Sequence, residues 1–595
     1  MVDSRIYRSG LALVAVAVIV FGFSLTSQPA AAPSSLAPVS LNGRSLYSAM
    51  QTMAKQFPHR SPGSPGDRGL AGYVAGQLGS THGFTVATAI AQLQTSAGEQ
   101  PVETVSAVRT GLSSGTIVVV SHRDAVSSPA MADLSGTAVM LDLARQLSGQ
   151  TESHTVMLVS TSGSVGAAGA TQLARSLAGQ PVDAVITLGD LGAPHPTQPL
   201  VDPWSDAAVV TPALLRQTIS KYVATGIGLP AGNSNLGAQF AHLAFPFTIT
   251  EQGPFGSYGQ PAVGFSLSGY APTPAGQPVD LLRLQQSEDV VLQTLNALDN
   301  GPAVPGPSAY LVLSGQIVPS WAVRLLVLAL ILPVAVATID AVARTRRRGH
   351  SLLRWLGWVL ASAVPFVLVL IVLLIVKLAG FVSRAPPGPV AGGVPIGAGG
   401  TVLIVVLAAL LVAAFVLLRP RCVRLAARLR PVRRQPETPS GDAAGVALIV
   451  VLAAVTLVVW LGNPFAAALL VPALHLWLWL AQPGVRGRRW LMVALGLIGL
   501  VPALLILVYY VHGYHFTPIG FLWSTVLLVL GGQLSPLSAF GICLLLGCAV
   551  SVLVIVLRAA PAPPQQPTRV SVRGPVTYAG PGSLGGTESA LGSRR

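Results

Sequence analysis

Histidine and carboxylate side chains follow two short apolar segments in the first half of the chain. His122 and Asp124 come directly after Ile117–Ser121, and Asp190 comes shortly after Val182–Leu188. Imidazole and carboxylate groups are the side chains that most often transfer protons in hydrolases or hold their metal ions. A thiol nucleophile is excluded from this half, because every cysteine lies in the second half, and no His-Glu-x-x-His motif occurs.

The segments around these side chains alternate between two patterns. Gly136–Leu147 and Ala167–Leu177 have the period of amphipathic helices, and Leu281–Leu298 predicts a closing helix. Short β-branched segments between them have the composition of buried parallel strands. They are Ile117–Ser121, Val156–Ser160, Val182–Leu188 and Ala262–Ser268. This alternation predicts a doubly wound α/β domain with a mostly parallel sheet and a site at the carboxyl ends of its strands.

The stretch from Thr116 to Gly192 contains four segments whose order carries a family resemblance. They read TIVVVSHRDAV, ADLSGTAVMLDLAR, HTVMLVSTSGSVGAAGA and VDAVITLGDLG. This order of strand, His-x-Asp, Asp-x-x-Gly helix, strand, glycine-rich turn and strand resembles metallopeptidase family 28, the zinc aminopeptidases. The resemblance extends from about Gly43 to Asn300 and implies a zinc-exopeptidase fold. It also implies two zinc ions that share a bridging carboxylate, with a glutamate as the general base.

Two elements of that centre are present. By resemblance, His122 corresponds to a zinc ligand and Asp124 to the carboxylate that orients this histidine through a hydrogen bond. Asp133 corresponds to the bridging carboxylate, although its segment is shorter than the family pattern. A separate interpretation of Asp133 is that it caps the helix that starts beside it.

Three elements depart from the family. The general base falls on Gly163 and a ligand glutamate on Ser164, and neither residue has a carboxylate. Asp190 lies one residue after its expected position, which would turn its side chain to the other face of the strand. Gln252 stands where the family has its second histidine ligand. These departures predict that no competent metal centre forms.

The second half of the chain, from Trp321 to Leu557, consists of apolar segments long enough to cross a bilayer. Arginines concentrate in the short connections between them, at Arg344–Arg348, Arg419–Arg434 and Arg486–Arg489. The formal net charge of +15 therefore follows the positive-inside rule of membrane proteins and does not indicate nucleic-acid binding.

One ionisable residue lies deep within an apolar segment. His475 follows Pro472 in the sequence NPFAAALLVPALHLWLWL. An ionisable group at membrane depth is a functional candidate by default. The alternative is a neutral histidine that is hydrogen-bonded to a carbonyl of a neighbouring helix.

The N-terminal segment has the pattern of an export signal, because Arg5 and Arg8 precede an apolar run and an Ala-rich stretch. It is either an uncleaved signal anchor, which we favour, or a cleaved signal peptide. The predicted organisation is a cytoplasmic N-terminus and anchor at 1–34 and an extracytoplasmic α/β domain at 35–305. A transmembrane domain of about seven or eight helices at 306–557 and a disordered tail at 558–595 follow.

This arrangement is similar to the eukaryotic ER metallopeptidase and to the GPI-anchor attachment subunit of GPI transamidase. With the altered site residues, it favours a plasma-membrane pseudoenzyme that binds or scaffolds a peptide, a lipid-linked substrate or a partner membrane protein in contact with the lipid bilayer. The near absence of lysine beside abundant Arg, Ala, Gly and Pro indicates a bacterial source. No cofactor is expected. One alternative is an active zinc aminopeptidase with a reorganised site, whose ligands would be His122, Asp133 and Asp190. The other is lipid or small-solute transport by the helical bundle.

Overall fold

The chain folds into an α/β domain followed by a region of long apolar helices, which confirms the predicted fold class. The computed structural model describes residues 4–36, 43–125, 131–232, 235–271, 273–380, 388–389, 396–428, 442–480, 482, 485 and 488–558. The predicted tail after Arg558 and parts of two arginine-rich connections, 429–434 and 486–487, lie outside the described residues.

The secondary-structure elements are numbered in chain order. The strands are β1 (Thr26–Ser27), β2 (Thr85–Thr95), β3 (Gly98–Arg109), β4 (Thr116–His122), β5 (Thr155–Thr161), β6 (Val182–Leu188), β7 (Val201–Asp202), β8 (Ala262–Phe265), β9 (Tyr310–Leu313) and β10 (Gln316–Pro319). The helices of the first half are α1 (Ser4–Phe23), α2 (Gly43–Gln56), α3 (Pro65–Gly79), α4 (Ser135–Leu147), α5 (Ala168–Ser176), α6 (Ala213–Gly226), α7 (Leu236–Ala244), α8 (Gly253–Ser257) and α9 (Leu281–Asp299).

The helices of the second half are α10 (Ser320–Arg347), α11 (Leu352–Leu378), α12 (Ala398–Ala413), α13 (Arg419–Arg428), α14 (Asp442–Gly462), α15 (Pro464–Leu480), α16 (Arg489–Gly513), α17 (Pro518–Gly531) and α18 (Pro536–Leu557). A 3₁₀ turn at Ala132–Leu134 precedes α4, and a π-helical turn at Ala414–Leu418 joins α12 to α13.

A mixed sheet forms the centre of the α/β domain, with the strand order β2-β3-β5-β4-β6-β8-β7. The four strands β5, β4, β6 and β8 are parallel, as the sequence predicts. The edge pairings β2–β3, β3–β5 and β7–β8 are antiparallel, so the sheet is less uniformly parallel than predicted. The β2–β3 hairpin escaped prediction because its solvent-exposed strand lacks the continuous apolar run of a buried strand.

Helices cover both faces of this sheet, because successive residues of a strand point to opposite sides. Ile117 and Val119 of β4 pack with α2, α4 and α9, whereas Val118 and Val120 pack with α5 on the other face. This two-sided burial requires the continuous apolar run of β4. Because helices cover both faces of the sheet, the carboxyl ends of the parallel strands remain as the open edge of the domain.

Seven of the described helices are long and apolar enough to cross a membrane, by length and composition. They are α1, α10, α11, the continuous α12–α13 segment, α14, α16 and α18, and the shorter α15 and α17 are also apolar. α1 packs along α10, where a Cβ on Gly10 would lie 2.5 Å from the ring of Pro333. The residues after α1 also pair with the residues before α10, through β1 and β10. The N-terminal segment is therefore joined to the helical region at two places.

Candidate functional site

The carboxyl ends of the parallel strands border a cleft of about 340 Å³. His122 ends β4, Ser164 lies in the turn after β5, and Asp190 follows β6. Gln252 reaches the same cleft from the residues that precede α8. Parallel strands end at one edge of a sheet, so these residues line one cleft although they are far apart in sequence.

His122 forms an ion pair with Glu251. Its Nδ1 lies 2.9 Å from Oε2 of Glu251, and Thr161 donates to Oε1 of the same carboxylate at 3.3 Å. Only 16% of the His122 side chain and 9% of the Glu251 side chain are exposed. Burial alone would lower the pKa of His122, but Glu251 raises this pKa to about 10. Since Nδ1 contacts Glu251, only Nε2 of His122 remains for another partner, and a metal ion there would have to displace the proton that Glu251 stabilises.

The raised pKa of His122 predicts that stability falls as the pH rises. A base whose folded pKa exceeds its unfolded value contributes stability that is fully present below pH 6.5 and lost through about pH 10. Thermal melts across this range should therefore show a declining melting temperature. In the Glu251→Gln variant, the free energy of unfolding should fall less steeply with pH, by up to about 1.4 kcal/mol per pH unit.

The comparison with Glu251→Gln isolates His122 from other titrating groups. Burial raises the pKa of Glu288 to about 9, and this buried acid contributes a loss of the same sign, which remains in the variant. Parallel pH profiles of the two proteins would contradict the assignment to the His122–Glu251 pair.

Asp124 bonds to the turn that follows β5. Its carboxylate accepts hydrogen bonds from the backbone N–H of Ser164 at 3.1 Å and from Oγ of Ser164 at 2.9 Å. This corrects the expectation that Asp124 orients His122, because Ser164 supplies two donors and Glu251 holds Nδ1 of the imidazole. Burial raises the pKa of Asp124 to about 6.

Asp133 lies in the 3₁₀ turn before α4 and lines the cleft. Its carboxylate accepts a hydrogen bond from Thr273, and burial raises its pKa. α4 begins without a side-chain cap bond, so the interpretation of Asp133 as a helix cap is wrong. Asp133 is one of the residues that line the cleft, so a ligand in the cleft can contact it.

Asp190 is held by hydrogen-bond donors of the protein. Its Oδ2 accepts from Ser268 and Gln277, and its Oδ1 accepts from the backbone N–H two residues later at 3.0 Å. The preceding residue, Gly189, occupies the ligand position that the resemblance implies, and a Cβ there would lie 2.8 Å from Cβ of Ser266. That position therefore has no room for a ligating side chain.

Gln252, which the resemblance aligns with the second histidine ligand, is buried on the cleft wall. Its Nε2 donates to Thr250 Oγ1 at 2.7 Å and to the carbonyl of Trp204 at 3.2 Å. Its Oε1 accepts no hydrogen bond within the described part of the chain. A Cβ on Gly264 would lie 2.7 Å from this oxygen, so glycine at 264 leaves room for the orphan acceptor.

The side chains of this cleft do not fit the two-zinc centre that the resemblance implies. Within the described ranges, no group of three or more His, Cys, Asp or Glu side chains is arranged to hold a metal ion. The carboxylate of Asp190 is satisfied by protein donors, and Gly163 and Ser164 bring no carboxylate, so His122 lacks the partner ligands that a zinc ion needs. Hence no catalytic step through a metal is derived for this cleft.

Glu251 is the site residue that sequence reasoning missed. It stands directly before Gln252, in the triplet that corresponds to the family's Ser-Asp-His. The signal that could have identified Glu251 is a carboxylate directly before Gln252, where the resemblance implies a histidine ligand. Its contact with His122 joins residues 129 positions apart and follows only from the fold.

His475 joins three helices of the membrane region. Its Nε2 lies 3.0 Å from the carbonyl oxygen of Leu330 in α10, and its Nδ1 lies 3.5 Å from the hydroxyl of Tyr7 in α1. The acceptor therefore belongs to a neighbouring helix, three residues before Pro333, which lies inside that helix. This geometry favours a structural role over a ligand-binding one.

We expect His475→Leu to lower the stability of the full-length protein by about 1 kcal/mol, because it removes a hydrogen bond between helices in the membrane. Melting in detergent micelles measures the effect. His512→Leu, at the exposed end of α16, is the matched control and should melt like the unchanged protein. Unchanged stability with a lost cellular function would instead assign His475 a role in ligand handling.

The family resemblance is carried by the α/β domain. Residues 104–277 match the family model described as Peptidase family M28. They form a Peptidase M28 domain. This match includes β4, β5, β6 and β8 and all the cleft residues described above.

Similar solved structures include hydrolases and cyclases. Glutaminyl cyclase of Porphyromonas gingivalis is 18% identical with a TM-score of 0.33, over 43% of this chain and 99% of that chain. A putative zinc-dependent exopeptidase from Bacteroides vulgatus is 17% identical with a TM-score of 0.33, over 47% and 100%. The LapA aminopeptidase of Legionella pneumophila is 14% identical with a TM-score of 0.34, over 44% and 72%. Among curated proteins, no relative matches the sequence.

Proposed function

We propose that the chain is a membrane-anchored pseudoenzyme whose M28-like cleft binds the amino-terminal end of a peptide without hydrolysing it. The observation that carries the proposal is the ion pair between Glu251 and Nδ1 of His122, the residue that corresponds to a zinc ligand. The cleft keeps the volume of a small-ligand site, although Asp190 and Nδ1 of His122 already bond to other protein groups.

The walls of the cleft favour a ligand that brings positive charge and hydrogen-bond donors. Asp133 and Asp202 line it together with the ion-paired Glu251, and its described lining residues include no lysine or arginine. The buried Oε1 of Gln252 lacks a donor in the described ranges. A primary ammonium group, such as a peptide amino terminus, supplies one positive charge and three N–H donors.

The proposal places residues 35–305 outside the cytoplasm of a bacterial plasma membrane, with α1 as an uncleaved anchor. α10 leaves the domain side at Ser320 and ends among arginines at Arg347, which supports a cytoplasmic position for the arginine-rich connections. A cysteine introduced at the exposed Ser113 should react with an impermeant thiol reagent on intact cells, and one at Ser351 should not. The reverse labelling pattern would refute this orientation.

The binding test uses the full-length protein and a hexapeptide that carries a fluorophore at its carboxyl end. We expect the free-amine peptide to bind and its N-acetylated form not to bind, because acetylation removes the charge and two donors. Asp133→Asn should weaken binding about tenfold, the loss of one charged hydrogen bond. Asp289→Asn on α9, outside the cleft, is the control and should leave the affinity unchanged.

Equal binding of free-amine and acetylated peptides would contradict amino-terminal recognition, and so would equal affinities of the Asp133→Asn and unchanged proteins. An active zinc aminopeptidase remains the second candidate because of the M28 match, and turnover assays decide between the two.

A further inference from the structure

α17 is one of the two shorter apolar helices, and the residues at both of its ends contact the α/β domain. At its N-terminal end, Phe516 packs on Phe247 of the domain with ring centroids 6.1 Å apart. Beyond its C-terminal end, Gln533 donates to Asp206 of the domain at 3.2 Å. A helix of 14 residues is about 21 Å long, shorter than the hydrocarbon core of about 30 Å. Since both ends contact the same domain, α17 is an interfacial helix at the membrane surface.

The walls of the cleft rest on this helix. Val165, in the turn that carries Ser164, lines the cleft and packs into an apolar cluster with α11, α12, α17 and α18. Ile249 and Tyr270, on the opposite wall, line the cleft and pack into a second cluster that includes Leu528 of α17. Two walls of the cleft therefore pack in apolar clusters that include residues of α17.

Further contacts hold the cleft rim to the ends of membrane helices. The carbonyl oxygen of Gly166 accepts a hydrogen bond from the backbone N–H of Gly388, in the connection between α11 and α12, at 2.8 Å. The ring of Tyr270 meets that of Tyr514, at the end of α16, edge to face with centroids 4.6 Å apart. Because membrane helices end at the bilayer surface, the cleft lies at that surface as well.

We propose that the cleft receives the amino terminus of a polypeptide that is itself tethered to the bilayer, with its membrane segment or lipid anchor a few residues from the first residue. This inference rests on the proposed function and names its ligand class. A cleft at the membrane surface is reached directly by such chain ends, and the carboxylate of Asp133 on its wall accepts a hydrogen bond from the ammonium group. Both oxygens of Asp202 already accept hydrogen bonds from Trp204 and Thr250, so this carboxylate contributes negative charge.

A phospholipid headgroup fits the same cleft less well. Every phospholipid carries a phosphate, which requires a cationic partner or several N–H donors. The only cationic side chain among the described lining residues is His122, and Glu251 already holds it. The four carboxylates of the lining, including Asp190, would repel the phosphate.

The test uses the full-length protein in nanodiscs of phosphatidylcholine and phosphatidylglycerol, which contain no primary amine. The probes are peptides with a free amino-terminal alanine, a diazirine residue at the second position, and a carboxyl-terminal hexadecyl chain. Their Gly/Ser spacers have about 4 or about 20 residues, so the short spacer reaches only about 14 Å. N-acetylated forms and a soluble form without the chain complete the set, and cross-links are mapped by mass spectrometry.

We expect the short-spacer anchored peptide to cross-link to cleft residues at least tenfold more than the soluble peptide at equal concentration, and no less than the long-spacer peptide. The acetylated forms should not cross-link there. If the soluble peptide and the long-spacer peptide label the cleft but the short-spacer peptide does not, the tethered-ligand inference is overturned while the proposed function stands. If no free-amine peptide labels the cleft, the proposed function itself fails. Suppression of the labelling by added phosphatidylethanolamine would assign the cleft to a lipid headgroup and overturn the inference.

Discussion

Purified full-length protein should release product from amino-acyl reporter substrates no faster than buffer does, with or without added zinc. An active peptidase would accelerate this reaction by about 10⁶-fold or more, so the two outcomes are easily separated. The reason is that Gly163 and Ser164 supply neither a general base nor a ligand, and that Glu251 stabilises the protonated form of His122.

Restoring glutamates at both positions should not create activity. Gly163 has a φ of +84°, and a Cβ there would lie 3.2 Å from Cβ of Ala168, so Gly163→Glu strains the turn. Ser164→Glu removes the hydroxyl that donates to Asp124 and places another carboxylate nearby. We therefore expect the double variant to remain inactive in the same assay and to melt below the unchanged protein.

One result would contradict the predicted inactivity of the unaltered protein. Zinc-dependent hydrolysis by the unaltered protein, lost in a His122→Ala variant, would establish an active peptidase with a reorganised site. The variant is the necessary control, because it separates hydrolysis in this cleft from a contaminating enzyme.

The Asp67→Ala variant should lose about 3–5 kcal/mol of stability, the cost of leaving a buried charge without its partner. Nε of Arg123 lies 2.9 Å from Oδ1 of Asp67, and both side chains are fully buried. Asp67 also accepts hydrogen bonds from Ser162 and from the backbone N–H of Gly63, each at 2.9 Å. The ion pair therefore joins α3 to the end of β4, because Arg123 lies between His122 and Asp124. The hydrogen bond from Ser162 joins α3 to the turn after β5.

Thermal melting of the full-length protein measures this loss, with Asp289→Asn as a carboxylate-removing control that should melt normally. Replacing both partners by apolar residues, as Asp67→Leu with Arg123→Met, should cost less than the sum of the two single changes, because no unpaired charge remains. An Asp67→Ala variant that melts like the control would show that the pair does not hold the cleft segments together.

Much of the architecture follows from local sequence patterns. Apolar runs bounded by glycine, serine or aspartate predicted the four parallel strands, because a strand buried on both faces must be apolar throughout. The apolar segments after Trp321 predicted the membrane helices, since a bilayer requires long runs without charge. The exposed hairpin of β2 and β3 was not predicted, because its strands lack that signal.

The sequence by itself also determined what the cleft lacks, since the carboxylates missing at Gly163 and Ser164 can be read from their flanking glycine register. Only the tertiary structure decided what replaces them. Glu251 reaches His122 across 129 residues, and Asp124 bonds to Ser164 across 40. The packing of the cleft walls with α17 likewise depends on the tertiary structure. Side-chain pairs between distant segments depend on how strands and helices pack, and local periodicity carries no information about that packing.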